Sequence, residues 1–136
     1  MTKEEKELLV KDLCARLPYG VQCYVGDNKP YTLRSISIDN IDGTLLDFYE
    51  TKDGLNMQVY LSECKPFLIP LSNMTDEQKD EFDSLYTYDA LIIEPQIKLI
   101  NWCYENHFDI NGLIPKGLAN DATGKSIYYD NRRIIK

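Results

Sequence analysis

Histidine is almost missing from this chain: His107 is the one imidazole, and Cys14, Cys23, Cys64 and Cys103 stand far apart with no Cys-x-x-Cys spacing. Zinc takes four protein ligands in a structural site, or three and a water in a catalytic one, so the donor set is too thin for metal and no cofactor is expected. The wide spacing also speaks against a disulfide framework and predicts free thiols that pack as small core side chains. No apolar run approaches the roughly 20 residues that span a bilayer. The opening MTKEEKELLV puts acidic residues where a secretory leader has a basic start and an apolar stretch. A cytoplasmic setting without a membrane partner is therefore expected. Positive charge is scarce too: 15 Lys and Arg against 22 Asp and Glu leave a net charge of −7, which disfavours a protein whose main task is coating nucleic acid.

What the chain does have is one modest core's worth of apolar residues, 43% of 136, so residues 1–136 are read as a single α+β domain. Thr2 and Glu5 form a capping-box pattern before a helical stripe of Leu9, Leu13, Arg16 and Leu17, which Pro18 and Gly20 close. Its polar face, with Lys3, Lys6, Glu7, Lys11 and Asp12, is expected to be solvated. The period then changes to two. VQCYV, YTLRSISI, TLLDFYE and LNMQVYL are short strands separated by turn residues, and residues 65–71 offer a fifth, interrupted one. Short connections favour antiparallel pairing. Residues 19–71 are thus expected to form a four- or five-stranded antiparallel curved sheet or an SH3-like partial barrel. Residues 75–119 are read as two C-terminal helices and a turn. Thr75 and Gln78 repeat the capping-box pattern, and Pro95 either sits in the first turn of the second helix or kinks one that starts near Asp89. Ile97, Ile100 and Tyr104, with Leu99 and Cys103 beside them, make that helix's expected inward stripe. Residues 120–136 form a basic tail, in contrast with residues 76–94, where seven acidic side chains stand against Lys79 alone.

Several motif fragments fail on chemistry. Gly124, Lys125 and Ser126 resemble the end of a phosphate-binding loop, but Ala119 occupies the position of the first glycine. Asp109, Asn111 and Gly112 begin like a calcium loop that then turns apolar. Asn73 stands in a glycosylation sequon, where capping of the next helix is the better account. Asp39, Asp42, Asp47, Glu50 and Asp53 fall at turns or on the polar phase of strands, so solvation explains them.

The stretch NWCYENHFDINGLIPKGLAN carries the one sharp catalytic pattern. Cys103 and His107 lie one helical turn apart, and Asp109 follows two residues later, as in a thiol activated by an oriented imidazole. Against it, Cys103 falls beside the apolar face, and His107 at the helix end can meet free carbonyls and the negative end of the dipole. Asn111 with Gly112, and Pro115 with Gly117, then read as two tight bends. Lys116 between them is a candidate anion contact.

Ten Tyr residues point elsewhere. Tyr24, Tyr49 and Tyr60 on or near strands offer rigid, amphipathic faces of the type used in protein recognition. The tail adds Tyr128, Tyr129, Arg132 and Arg133, with Ile134 and Ile135, which together are too apolar for an idle charged tag. Arg34, Lys116 and the tail are the basic groups that a weak nucleic-acid-binding adaptor would use.

Three blocks, LLVKDLCARLPYGV, LSECKPFLIPLSNMT and NHFDINGLIPKGLA, together resemble a recurrent type of small hypothetical protein of gut Bacteroidales and their bacteriophages. The resemblance spans most of residues 8–119 and leaves the tail out. It implies a bacterial or phage cytoplasmic setting and an accessory role on a phage or mobile element, and it assigns no functional residue. The expectation from the sequence is a noncatalytic protein-interaction module with a protein partner or a second copy. A small enzyme using the Cys-His pair and the nucleic-acid adaptor remain the alternatives.

Overall fold

A computed structural model describes residues 1–26, 29–38, 43–49, 57–86, 93–125 and 127–128. Helix α1, Lys3–Arg16, starts at the expected reciprocal cap: Glu5 N–H donates to Thr2 Oγ1 at 3.1 Å and Thr2 N–H to Glu5 Oε1 at 2.8 Å. A single 3-10 turn, Leu17–Tyr19, follows, and Gly20 ends it in the left-handed region at φ 69°. The strands come next: β1 Gln22–Tyr24, β2 Tyr31–Ser37, β3 Leu45–Phe48, β4 Met57–Tyr60 and β5 Lys65–Leu68. Helix α2, Asp76–Leu85, carries the second reciprocal cap, with Thr75 and Gln78 in the expected roles. Helix α3, Ile93–Glu105, has Pro95 near its described start, the alternative start near Asp89 lying outside the described residues, and β6 is the pair Asn120–Asp121.

The α+β class holds, with α1 first, then the sheet, then α2 and α3 before the closing strand. The sheet itself differs from the expectation. It has six strands in the order β4-β3-β2-β1-β5-β6, and it is mixed: the first four pairings are antiparallel, whereas β5 and β6 run parallel, Phe67 opposite Asn120. Among the described residues β4 and β6 are open edges, so the sheet does not close as an SH3-like barrel would. Two-residue β6 has no alternation to read, and the long α2–α3 excursion returns the chain parallel to β5.

Leu9 and Leu13 of α1 lie on one sheet face against Val21, Cys23, Leu33, Leu46, Phe48 and Leu68, with Leu113 and Leu118 closing the cluster. Phe67, next to Leu68 on the strand, faces the other way and meets Ala122 and Tyr128. Met57 and Val59 of β4 face inward and Gln58 and Tyr60 outward, as the period of two requires.

Two polar expectations are corrected by burial. Asp12, placed on the wet face of α1, is fully buried, because Arg16 one turn later is also fully buried and needs an anion. Asp47 is 6% exposed rather than solvated. An irregularity between Leu33 and Ser35 in β2 brings Arg34 onto its carboxylate, at 2.8 Å from Nε. The other acidic residues weighed with it, Asp39, Asp42, Glu50 and Asp53, lie outside the described residues.

Candidate functional site

The end of α3 positions the catalytic candidates. His107 N–H donates to Tyr104 O at 3.0 Å and Phe108 N–H to Cys103 O at 2.9 Å, the paired closure of a Schellman motif. That closure requires a left-handed residue just past the helix, and His107 takes the role at φ 63°. His107 thus lies beyond the helix instead of in its last turn, and the position usually falls to glycine because a side chain there is strained. Its ring stacks on Tyr128, centroids 3.7 Å apart and planes at 13°, while its carbonyl accepts Ile69 N–H at 2.9 Å. The imidazole is 5% exposed.

Cys103 is 3% exposed. Burial pushes its thiol pKa up, against a smaller lowering by the Arg16 charge, so the sulfur is held in the protonated form, opposite to what a nucleophile needs. Asp109 does other work: its carboxylate accepts Leu113 N–H at 2.8 Å and Ile114 N–H at 2.9 Å, fastening the turn that contains Asn111 and Gly112. The triad pattern in the sequence is, in space, a helix stop and a turn clamp.

Beneath it lies a polar cluster that spacing alone did not reveal. Arg16 donates to Asp12 from Nε at 2.6 Å and from Nη2 at 3.1 Å, and Nη2 also reaches Phe108 O at 2.6 Å. Asn111 Nδ2 adds a bond to the same carboxylate at 2.8 Å and another to Tyr104 Oη at 3.1 Å, and the guanidinium sits 4.9 Å from the Tyr104 ring centre. Arg16 Nη1 is buried with no hydrogen-bond partner. The signal available in the sequence was an arginine in a leucine stripe, four residues after an aspartate. This cluster joins α1, α3 and the turn into one unit.

Tyr128, an expected contact residue, is buried at 8% exposure. Its hydroxyl accepts Gln22 N–H at 2.8 Å and lies 2.8 Å from Phe67 O, bridging β1 and β5 where Pro66 opposite Cys23 has no N–H to give. Burial pushes this phenol's pKa up, consistent with a hydroxyl used as a structural link. The other contact candidates separate. Tyr24 is half-buried against Phe67 and Tyr128, whereas Tyr49 and Tyr60 are each 55% exposed. Lys116 is exposed, and its charge adds a minor part to the lowered pKa of Glu5, which the Thr2 backbone hydrogen bond chiefly produces. Tyr129, Arg132 and Arg133 lie outside the described residues. Arg34 is ion-paired with Asp47, which leaves it little net charge to offer a phosphate.

A cavity of about 400 Å³ opens between the start of α2 and the turn after β6, lined among others by Ile69, Asn106, Lys125 and Tyr128. Several of its polar groups are already engaged: Asn73 Nδ2 donates to Thr123 Oγ1 at 2.9 Å, Asn106 Nδ2 to Trp102 O at 2.9 Å, and the Gln78 carbonyl accepts Thr75 N–H. The Lys125 ammonium rests 5.3 Å from the centre of the Phe67 ring. Among the described residues no group of three or more His, Cys, Asp or Glu side chains is placed to hold a metal. Nor is any helix long and apolar enough to cross a membrane.

Among the described residues, α3 carries an exposed apolar stripe. Trp102 turns toward α2, its Nε1–H donating to Glu81 at 2.8 Å and its ring edge-on to Phe82, and Cys103 and Tyr104 are buried. Ile97 and Ile100, expected inside, instead keep 50% and 47% of their surface, and Ile93 keeps 66%. Among the described residues the stripe is covered only at its last turn, where Tyr104 lies under Arg16. No protein-family model, curated protein or solved structure matches the chain.

Proposed function

We propose that the protein is a noncatalytic protein-interaction module acting in the cytoplasm, in an accessory role on a phage or mobile element. The uncovered isoleucine stripe of α3 carries this reading. Three large apolar side chains at i, i+4 and i+7 stay in water at a cost of roughly 1 kcal/mol each, taking half of the ~1.5–3 kcal/mol that full burial is worth, and a partner recovers it. Tyr49 and Tyr60, exposed at opposite ends of the β3–β4 pair, add a second surface of the kind that recognises proteins. The setting rests on the resemblance of the three sequence blocks to small Bacteroidales and phage proteins.

The enzyme alternative is weakened by the burial of Cys103 and by the engagement of Asp109 with backbone amides. The nucleic-acid alternative is weakened by the Arg34–Asp47 pair and the net charge of −7. The test is affinity capture of the full chain from a bacterial lysate, followed by native mass spectrometry, beside an Ile97→Glu variant. Stoichiometric added protein mass with the wild type, lost in the variant, is expected. Bare monomer from both lysate and purified wild type would overturn the reading.

A further inference from the structure

The α3 stripe also carries information about its partner, because its pattern is self-complementary. Ile93, Ile97 and Ile100 run along about 10 Å of helix. On one flank, Glu94 and Lys98 are strongly exposed, with Nζ 3.4 Å from Oε1. Set a second α3 antiparallel across this face, about a twofold axis between residues 96 and 97. Ile93 then stands opposite Ile100 of the copy, and the two Ile97 side chains meet near the axis. A twofold perpendicular to the helices keeps the charged flank of each copy on the same side, so Glu94 comes level with Lys98 of the other, twice over. One axis satisfies both the apolar and the ionic matching. A parallel arrangement, about an axis along the helices, would put the two charged flanks on opposite sides of the contact and lose the ionic matching.

We propose that the partner of the α3 stripe is a second copy of this chain, joined through an antiparallel α3–α3 contact centred on Ile97. The proposal rests on the interaction-module reading and names its partner. Interfaces of standard size bury about 800 Å² per partner, and three isoleucines with two charged neighbours supply less, so dissociation constants in the micromolar range are expected.

Sedimentation velocity of the purified full chain, from about 5 to 500 µM, measures this directly. The expected result is a concentration-dependent monomer–dimer equilibrium. Ile97→Glu, which puts two like charges at the axis, weakens it at least tenfold. Glu94→Lys and Lys98→Glu each weaken it about two- to tenfold, the range of two exposed ion pairs, and the double exchange restores it. Because Ile97 is already half exposed, the variants keep their fold, which circular dichroism checks; Ile97→Ala is the milder second probe. A wild type that stays monomeric throughout, a dimer indifferent to Ile97→Glu, or a charge exchange without restoration overturns the proposal. If the wild type is monomeric yet captures a different protein that Ile97→Glu loses, self-pairing fails and the interaction module stands. Monomer with no captured protein defeats both.

Discussion

Removing Asp12 isolates the best-defined energetic feature of this fold. In Asp12→Ala the Arg16 guanidinium, with 0% of its surface exposed, loses two of its three hydrogen bonds and its counter-charge, while Nη1 already lacks a partner. Breaking one side of a buried ion pair costs about 3–5 kcal/mol. Domains of this size have a total stability of roughly 5–15 kcal/mol. With about 3 °C lost per kcal/mol in a chain of this length, the midpoint should fall by about 10–15 °C. The apolar replacement Asp12→Leu with Arg16→Met removes both charges together. It should recover most of the loss, offset by about 1 kcal/mol each for the Phe108 carbonyl left without its donor and for Asn111 Nδ2 left without the Asp12 acceptor. Urea unfolding followed by circular dichroism and by Trp102 fluorescence gives both numbers. A loss under about 1 kcal/mol in Asp12→Ala, or a double variant no better than the single, would refute the account of a dry, mutually dependent pair.

Two further outcomes follow from the end of α3 and from the thiols. His107→Gly relieves a left-handed backbone strain of about 1 kcal/mol while losing the stack on Tyr128, so it should be more stable than His107→Ala by about 1 kcal/mol in urea melts; the reverse order would show that φ 63° is unstrained. At neutral pH an alkylating reagent read by mass spectrometry should modify Cys14 first, with Cys23, Cys64 and Cys103 protected until unfolding, and rapid labelling of Cys103 would revive the enzyme alternative. The same burial predicts alkaline weakening. Folded-state pKa values of Cys23 and Cys103 are raised by desolvation, so their contribution is intact below the unfolded thiol value near 8.5 and is lost as pH rises from there toward the folded values; the urea midpoint should drop between pH 8 and pH 10.

The parts of the fold that were legible in the sequence are those written in local chemistry. Both capping boxes and the first five strands are fixed by side-chain-to-backbone bonds or by a period of two within a few residues. Other parts depend on what arrives from far along the chain. Asp12 looks solvated until two groups from roughly a hundred residues away arrive, Asn111 on its own carboxylate and the Phe108 carbonyl on Arg16. β6 exists only because the chain returns beside Phe67. Cys103, His107 and Asp109 were found as a cluster, but spacing could not show that His107 would take the left-handed closing position or that Asp109 would bind two amides. A helical stripe likewise states which side chains share a face and leaves open how much of that face is covered.

The buried polar cluster and the bare stripe follow from one geometric fact about α3. Tyr104 lies under Arg16, and the eleven residues back to Ile93 carry the same apolar face about 16 Å away along the helix axis. The Asp12–Arg16 pair sits at the last turn of α1 and fixes the crossing at that end, so α1 covers the Tyr104 turn and α2 takes the Trp102 side. Ile93, Ile97 and Ile100 therefore project beyond both contacts. A helix made only to complete this core would end its apolar face where the cover ends, and polar residues would follow at low cost on an exposed surface. Three isoleucines in succession on these turns, flanked by a matched acid and base, are the features on which the proposed α3–α3 contact rests.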